Sequence, residues 1–161
     1  MCHLKKLTRK AIIVTLVLSI LDAYSARLHA QAAKCTVWDG LYSAEQAARG
    51  KALYDEKCAL CHGADLSGRE MAPALAGSTF IDEWANQSVG DLADRIHRSM
   101  PMNDPGSLRN RQVADLVAYV LAVNEFPAGQ LELAAEPMLL QQIEIAPEKP
   151  AQSVCPLITQ H

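Results

Sequence analysis

The chain has 161 residues, half of them apolar, with 15 Lys and Arg against 18 Asp and Glu. That length suits one domain with spare residues at both ends, and the apolar share excludes wholesale disorder. At the N-terminus, Lys5, Lys6, Arg9 and Lys10 precede an apolar run from Ala11 to Leu21, which Asp22 ends. Small residues follow around Ala30 and Ala32, so residues 1–30 read as an export signal. The run of 11 residues is short of the roughly 20 needed to cross a bilayer, and no stable membrane insertion is expected after cleavage. Removing this segment takes away five basic side chains and one acidic one. Ten basic and seventeen acidic residues remain, a formal net charge of −7. Such a chain repels nucleic acid and favours partners with basic docking patches.

Residues 31–42 form a short lead-in that ends in Trp38-Asp39-Gly40. Ser43 is placed as an N-cap with Gln46 at the capping-box position, opening a helix from about Ala44 to Lys57. Residues 63–87 carry Gly63, Gly68, Pro73 and Gly77 without a lasting period, which predicts loop with short helical pieces. Ser88 and Asp91 mark a second capping box. Val89, Leu92 and Ile96 share one face of the helix that runs to about Arg98. Pro101 and Pro105 keep residues 100–106 in a loop. The last strong helix spans about Arg111 to Asn124, with Val113, Leu116, Val117, Val120 and Leu121 as its stripe. Residues 130–161 hold four prolines and no sustained pattern, and are expected to be an extended or partly ordered tail. No strand alternation and no internal repeat is expected.

The chemistry concentrates at Cys58-Ala59-Leu60-Cys61-His62. C-x-x-C-H is the attachment signature of haem c. Two thiols three residues apart can add to two vinyl groups on one porphyrin edge, and the next residue then lies under the iron. His62 would ligate it through one ring nitrogen while an acceptor holds the other. A thioredoxin-like dithiol would need a βαβ setting that this chain lacks, and a zinc half-site would need two more ligands at compatible spacing. His97 adjoins the buried-side Ile96 and is expected at the surface. Outside the motif, an exported chain keeps Cys35 and Cys155. They either pair and tie the tail to the N-terminus or remain two free thiols.

From Trp38 to about Gly129 the sequence resembles the class I cytochrome c family, in particular bacterial periplasmic cytochromes associated with quinoprotein dehydrogenases. Gly50-Lys51-Ala52-Leu53-Tyr54, Ala72-Pro73-Ala74-Leu75-Ala76-Gly77 and Met100-Pro101 carry the resemblance. It implies an all-α fold of three main helices plus loops wrapped around one covalent haem, over residues 43–129, with 130–161 as an extension. It implies that Gly50 and Tyr54 cross against Leu116, Tyr119 and Val120. It also implies that the Pro73 carbonyl accepts the His62 ring N–H, that Leu75 packs on the haem, and that a methionine supplies the sixth iron ligand. Met100 is favoured, Met102 is the alternative, and Met71 is a third, lying close to the haem motif. Trp84 would line the pocket and offer its indole N–H to a propionate, and Trp38 would cap the core. Plain packing accounts for either tryptophan as well.

The function expected on this basis is periplasmic single-electron transfer without catalysis. The partners would be redox proteins such as a dehydrogenase and a terminal oxidase or another cytochrome. Two other readings stand beside it: a haem subunit stably bound to a dehydrogenase, which would employ the tail, and an open-haem catalyst or sensor, which would lack a methionine ligand.

Overall fold

A computed structural model describes residues 34–70, 72–151, 153 and 155–158. The expected export signal and Met71 lie outside these residues. Among them, no helix is long and apolar enough to cross a membrane.

Six α-helices occur in chain order among the described residues: α1 Ala44–Lys57, α2 Ala59–His62, α3 Gly77–Trp84, α4 Val89–Ser99, α5 Asn110–Val123 and α6 Pro137–Leu140. A 3-10 turn covers Val37–Asp39. The long helices begin where capping chemistry satisfies their first amides. Ser43 accepts from the Gln46 amide, and Ser88 and Asp91 cap each other reciprocally. The two Ser88 hydrogen bonds hold the Asp91 carboxyl below the usual carboxylate range. α5 is the hub. Its residues from Val113 to Leu121 are all buried, because α1 and α4 both pack against it. The expected single stripe is therefore only part of what this helix buries.

α1 and α5 cross at Gly50. A Cβ there would sit 1.8 Å from the Asp115 carbonyl oxygen and 2.9 Å from the Tyr119 Cβ. The absence of a side chain lets the two backbones meet. Around the crossing, the Tyr54 and Tyr119 rings pack tilted at 5.3 Å between centroids, and Arg49 pairs with Asp115 at 2.9 Å. The backbone of Asp115 thus joins Tyr119 as the partner of Gly50.

The stretch after Gly129 differs from the tail expected of it. Much of its backbone is extended, but it is a packed strap. Leu133, Leu140, Ile143, Ile145 and Cys155 are buried. Two short strands, β1 Cys35–Thr36 and β2 Ile143–Glu144, pair in parallel, a small sheet that the sequence did not suggest. Ile145 exchanges backbone hydrogen bonds with Asn86 and Gln87. Trp38 donates its indole N–H to the Ala146 carbonyl and packs edge-on against Phe126. Gln46 does not close the expected capping box. Its side-chain amide instead donates to the Leu133 carbonyl at 3.0 Å and accepts from the Leu133 amide at 2.6 Å. A buried amide side chain must find both a donor and an acceptor, and the strap backbone supplies them.

Cys35 and Cys155 form a disulfide across 120 residues of sequence. Closing so long a loop removes much entropy from the unfolded chain. Cys155→Ser is expected to lower the unfolding free energy by about 2–5 kcal/mol. Urea unfolding of the oxidised protein and the variant measures this, and equal midpoints would show that the bond does not hold the strap.

Candidate haem site

The motif sits at a helix junction. Cys58 ends α1 with its amide on the Tyr54 carbonyl, and α2 turns at once through Ala59–His62. The Cys61 and His62 amides both bond back to the Cys58 carbonyl, at 3.1 and 3.0 Å. This tight turn presents the two thiols while burying His62, which is 8% exposed. Both thiols are free, Cys58 half-buried and Cys61 exposed. Burial, with a smaller effect of Cys61, pushes the Cys58 thiol up to about 11, so it is protonated at neutral pH. A protonated thiol is the species that addition across a vinyl group consumes.

His62 Nδ1 lies 2.9 Å from the Pro73 carbonyl oxygen. A carbonyl can only accept, so Nδ1 carries the proton and Nε2 keeps its lone pair for a metal. The chain around the imidazole is tied down. The Gly68 amide donates to the His62 carbonyl at 2.9 Å, and the buried Tyr54 hydroxyl donates to the Gly63 carbonyl at 2.7 Å. Burial pushes the Tyr54 phenol well above its ordinary value, which keeps it a donor.

Leu75 is half-buried against the core, and its amide bonds to the Leu66 carbonyl at 2.8 Å. Asn124, unremarked in the sequence, clamps this segment. Its side chain donates to the Leu75 carbonyl at 2.9 Å and accepts from the Gly77 amide at 3.0 Å. A polar residue just beyond the apolar stripe of α5 was the available signal. Trp84 is buried beside Phe80 and walls a groove with Asp91, Arg95 and Arg98.

Met100 is the C-cap of α4. It is half-buried, with its amide on the Ile96 carbonyl at 3.0 Å. Pro101 is buried, and Met102 is 73% exposed. His97, expected at the surface, is half-buried. Its Nδ1 is enclosed without a hydrogen-bond partner among the described residues, because its helix turns that side toward the protein. Among the described residues, no group of three His, Cys, Asp or Glu could hold a metal ion. The donor set instead suits haem: two free thiols and an imidazole with one nitrogen engaged and the other available.

Residues 45–120 match the family described as cytochrome c oxidase, cbb3-type, subunit III. The thiosulfate dehydrogenase of Psychrobacter arcticus is 32% identical over 77 residues, covering 44% of this chain and 24% of that protein. The enzyme of the same name from Stutzerimonas stutzeri is 33% identical over 82 residues, covering 45% and 26%. Cytochrome c-554(547) of Halothiobacillus neapolitanus is 56% identical over 36 residues, 22% of this chain and 40% of that one. The chain thus spans well under half the length of these relatives. The sulfane dehydrogenase SoxCD of Paracoccus pantotrophus aligns over 82% of this chain and 72% of that one, at 22% identity and a TM-score of 0.46.

The helical fold and the C-x-x-C-H site define a c-type cytochrome domain with covalent haem c and its iron. Residues 45–120, just under half of the chain, are similar to a cytochrome c family domain, which supports the resemblance to class I c-type cytochromes.

Proposed function

We propose that this chain is an exported, single-haem electron carrier of the periplasm whose iron is held by His62 and Met100, and that it is not itself a catalyst. The observation that carries the reading is the His62–Pro73 contact, which aims one imidazole nitrogen outward for a metal and holds the other. Bound haem supplies a reversible one-electron couple. Cys58 and Cys61 fix it covalently, and the buried His62 turn keeps the imidazole in one orientation. Leu75 and Trp84 contribute apolar wall, and Trp84 offers its N–H to a propionate. The half-buried Met100 would hold the iron together with His62, which would favour electron transfer over ligand binding. Because His62 is held by the Pro73 carbonyl and Met100 by its amide on Ile96, they need not move between oxidation states. The carrier takes electrons from a periplasmic dehydrogenase and passes them to a terminal oxidase or another cytochrome. The two relatives named thiosulfate dehydrogenase point to sulfur-compound dehydrogenases as one class of donor.

Mass spectrometry of the exported protein tests this reading together with its ferric spectrum. The expected result is one haem per chain, loss of the first 30 or so residues, and a methionine-to-iron band at the red end. Rapid CO binding with no such band would overturn it in favour of an open haem. A second reading, a haem subunit held stably by a dehydrogenase, is favoured by relatives of that name whose length this chain matches only in part. Gel filtration with the native dehydrogenase separates the two, since a carrier elutes alone.

A further inference from the structure

We propose that Gln141 is a positioning residue for the iron's sixth ligand: it locks the strap onto the first turn of α4, and α4 carries Met100 at its opposite end. The proposal rests on the Met100 reading above and adds what holds that ligand in place.

The strap grips the start of α4 at two successive points. Ahead of the helix, the Asn86 amide donates to the Ile145 carbonyl at 2.9 Å, and the Ile145 amide donates to the Gln87 carbonyl at 2.8 Å. On the first turn, the Gln141 side chain lies directly over Gly90. A Cβ at Gly90 would sit 2.6 Å from both the Cδ and the Nε2 of Gln141. The Gln141 Nε2 donates to the Asp91 carboxylate at 3.3 Å. Its Oε1 shares the Ser88 hydroxyl with the other Asp91 oxygen, each at 2.7 Å. The reversed amide would set its oxygen against the carboxylate, so one orientation is favoured. Ser88 and Asp91 are the capping pair of α4, and the strap therefore closes over the cap itself.

Gly90 lies within the helix and has no left-handed φ that would require a glycine. The room it leaves is the room that Gln141 occupies. Gln141 is in turn placed by the buried Leu140 beside it and by its own amide on the Pro137 carbonyl at 3.1 Å. The main neighbours of α4 are α5 on one side and, from the strap, α6 and β2. With 11 residues the helix is about 16 Å long, so a tilt of about 5° at its start moves Met100 by about 1.4 Å. A ligating side chain has to be held within about 0.5 Å of its productive position. Loosening the strap therefore weakens the sulfur-to-iron bond while α4 stays packed on α5.

Carbon monoxide binding to the ferrous holoprotein and the methionine-to-iron band of the ferric form test this in Gln141→Ala, Gly90→Ala and the double variant. Carbon monoxide binds only when the sixth ligand leaves, so its rate reports how often Met100 is off the iron. Gln141→Ala deletes the amide. Gly90→Ala drives it out, since the nearest atoms its Cβ meets are all in the Gln141 side chain. Each should raise the carbon monoxide rate roughly three- to tenfold, as expected for one or two lost hydrogen bonds, and weaken the band. The double variant should match Gln141→Ala, because the truncated side chain no longer reaches position 90. The urea midpoint of Gly90→Ala should stay close to wild type, since alanine favours the helix. A merely structural Gln141 would lower the midpoint of Gln141→Ala and leave its rate and band at wild type, which would overturn the proposal. So would rates that multiply in the double variant, since Gly90 and Gln141 would then act separately. Failure of the Met100 reading looks different: the wild type lacks the band and binds carbon monoxide as fast as Met100→Ala, and the proposal falls with it.

Discussion

Met100→Ala should abolish the methionine-to-iron band, open the iron to CO and lower the midpoint potential. Axial ligation tunes haem iron over roughly 0.8 V, and exchanging a thioether for water or a stray base is expected to consume a substantial part of that range. Met102→Ala should leave all three properties alone. The physical basis is orientation. Met100 ends α4 half-buried, with its amide anchored to Ile96, whereas Met102 is 73% exposed beyond the buried Pro101. We take the half-buried methionine as the ligand and the exposed one as free of the iron. Redox titration and CO difference spectra of both variants decide the matter. The opposite pattern would make Met102 the ligand. A wild-type spectrum in both would shift the search to Met71 or His97.

Gly50→Ala should be among the costliest small substitutions, more than about 4 kcal/mol against a usual total of about 5–15. The added Cβ would lie 1.8 Å from a backbone oxygen and 2.6 Å from the carbonyl carbon of Asp115. Backbone in the middle of a helix cannot swing aside as a side chain can, so α1 and α5 would have to separate. That separation would loosen the Tyr54–Tyr119 packing and the Arg49–Asp115 pair together. Gly77→Ala is the control. Nothing lies within 4 Å of its Cβ position, and only its φ of +77° opposes a side chain. That conformational cost is about 1–2 kcal/mol. Chemical unfolding of both holoproteins measures the gap, and similar losses would mean that the helices do not cross as closely as described.

The two variants also mark which features were legible in the chain. The haem motif is local: five consecutive residues carry the thiols and the imidazole, so their spacing is readable without the fold. Helix starts are local too, and Ser88 with Asp91 caps α4 as their spacing implies. The three long helices follow from caps and apolar periodicity, each interaction spanning a few residues. The eight-residue α3 was readable only as a short helical piece in a loop, since two buried positions make no sustained period.

Long-range satisfaction decided the rest. Gln46 had the position of a capping partner, yet it hydrogen-bonds to Leu133, 87 residues away, because burial demands that both ends of its amide be met. The strap showed no period because Leu133, Leu140, Ile143 and Ile145 are buried at irregular intervals along a largely non-helical segment. Asn124 became a clamp on Leu75 and Gly77 only once α5 ended beside them. The cysteine count left Cys35 and Cys155 paired or free, and the fold joins them in a disulfide. Sequence alone therefore determined the haem attachment chemistry and the main helices, because both depend on neighbours within a few residues. The tertiary structure decided the course of the strap and the disulfide, because each depends on which distant part of the chain a side chain meets.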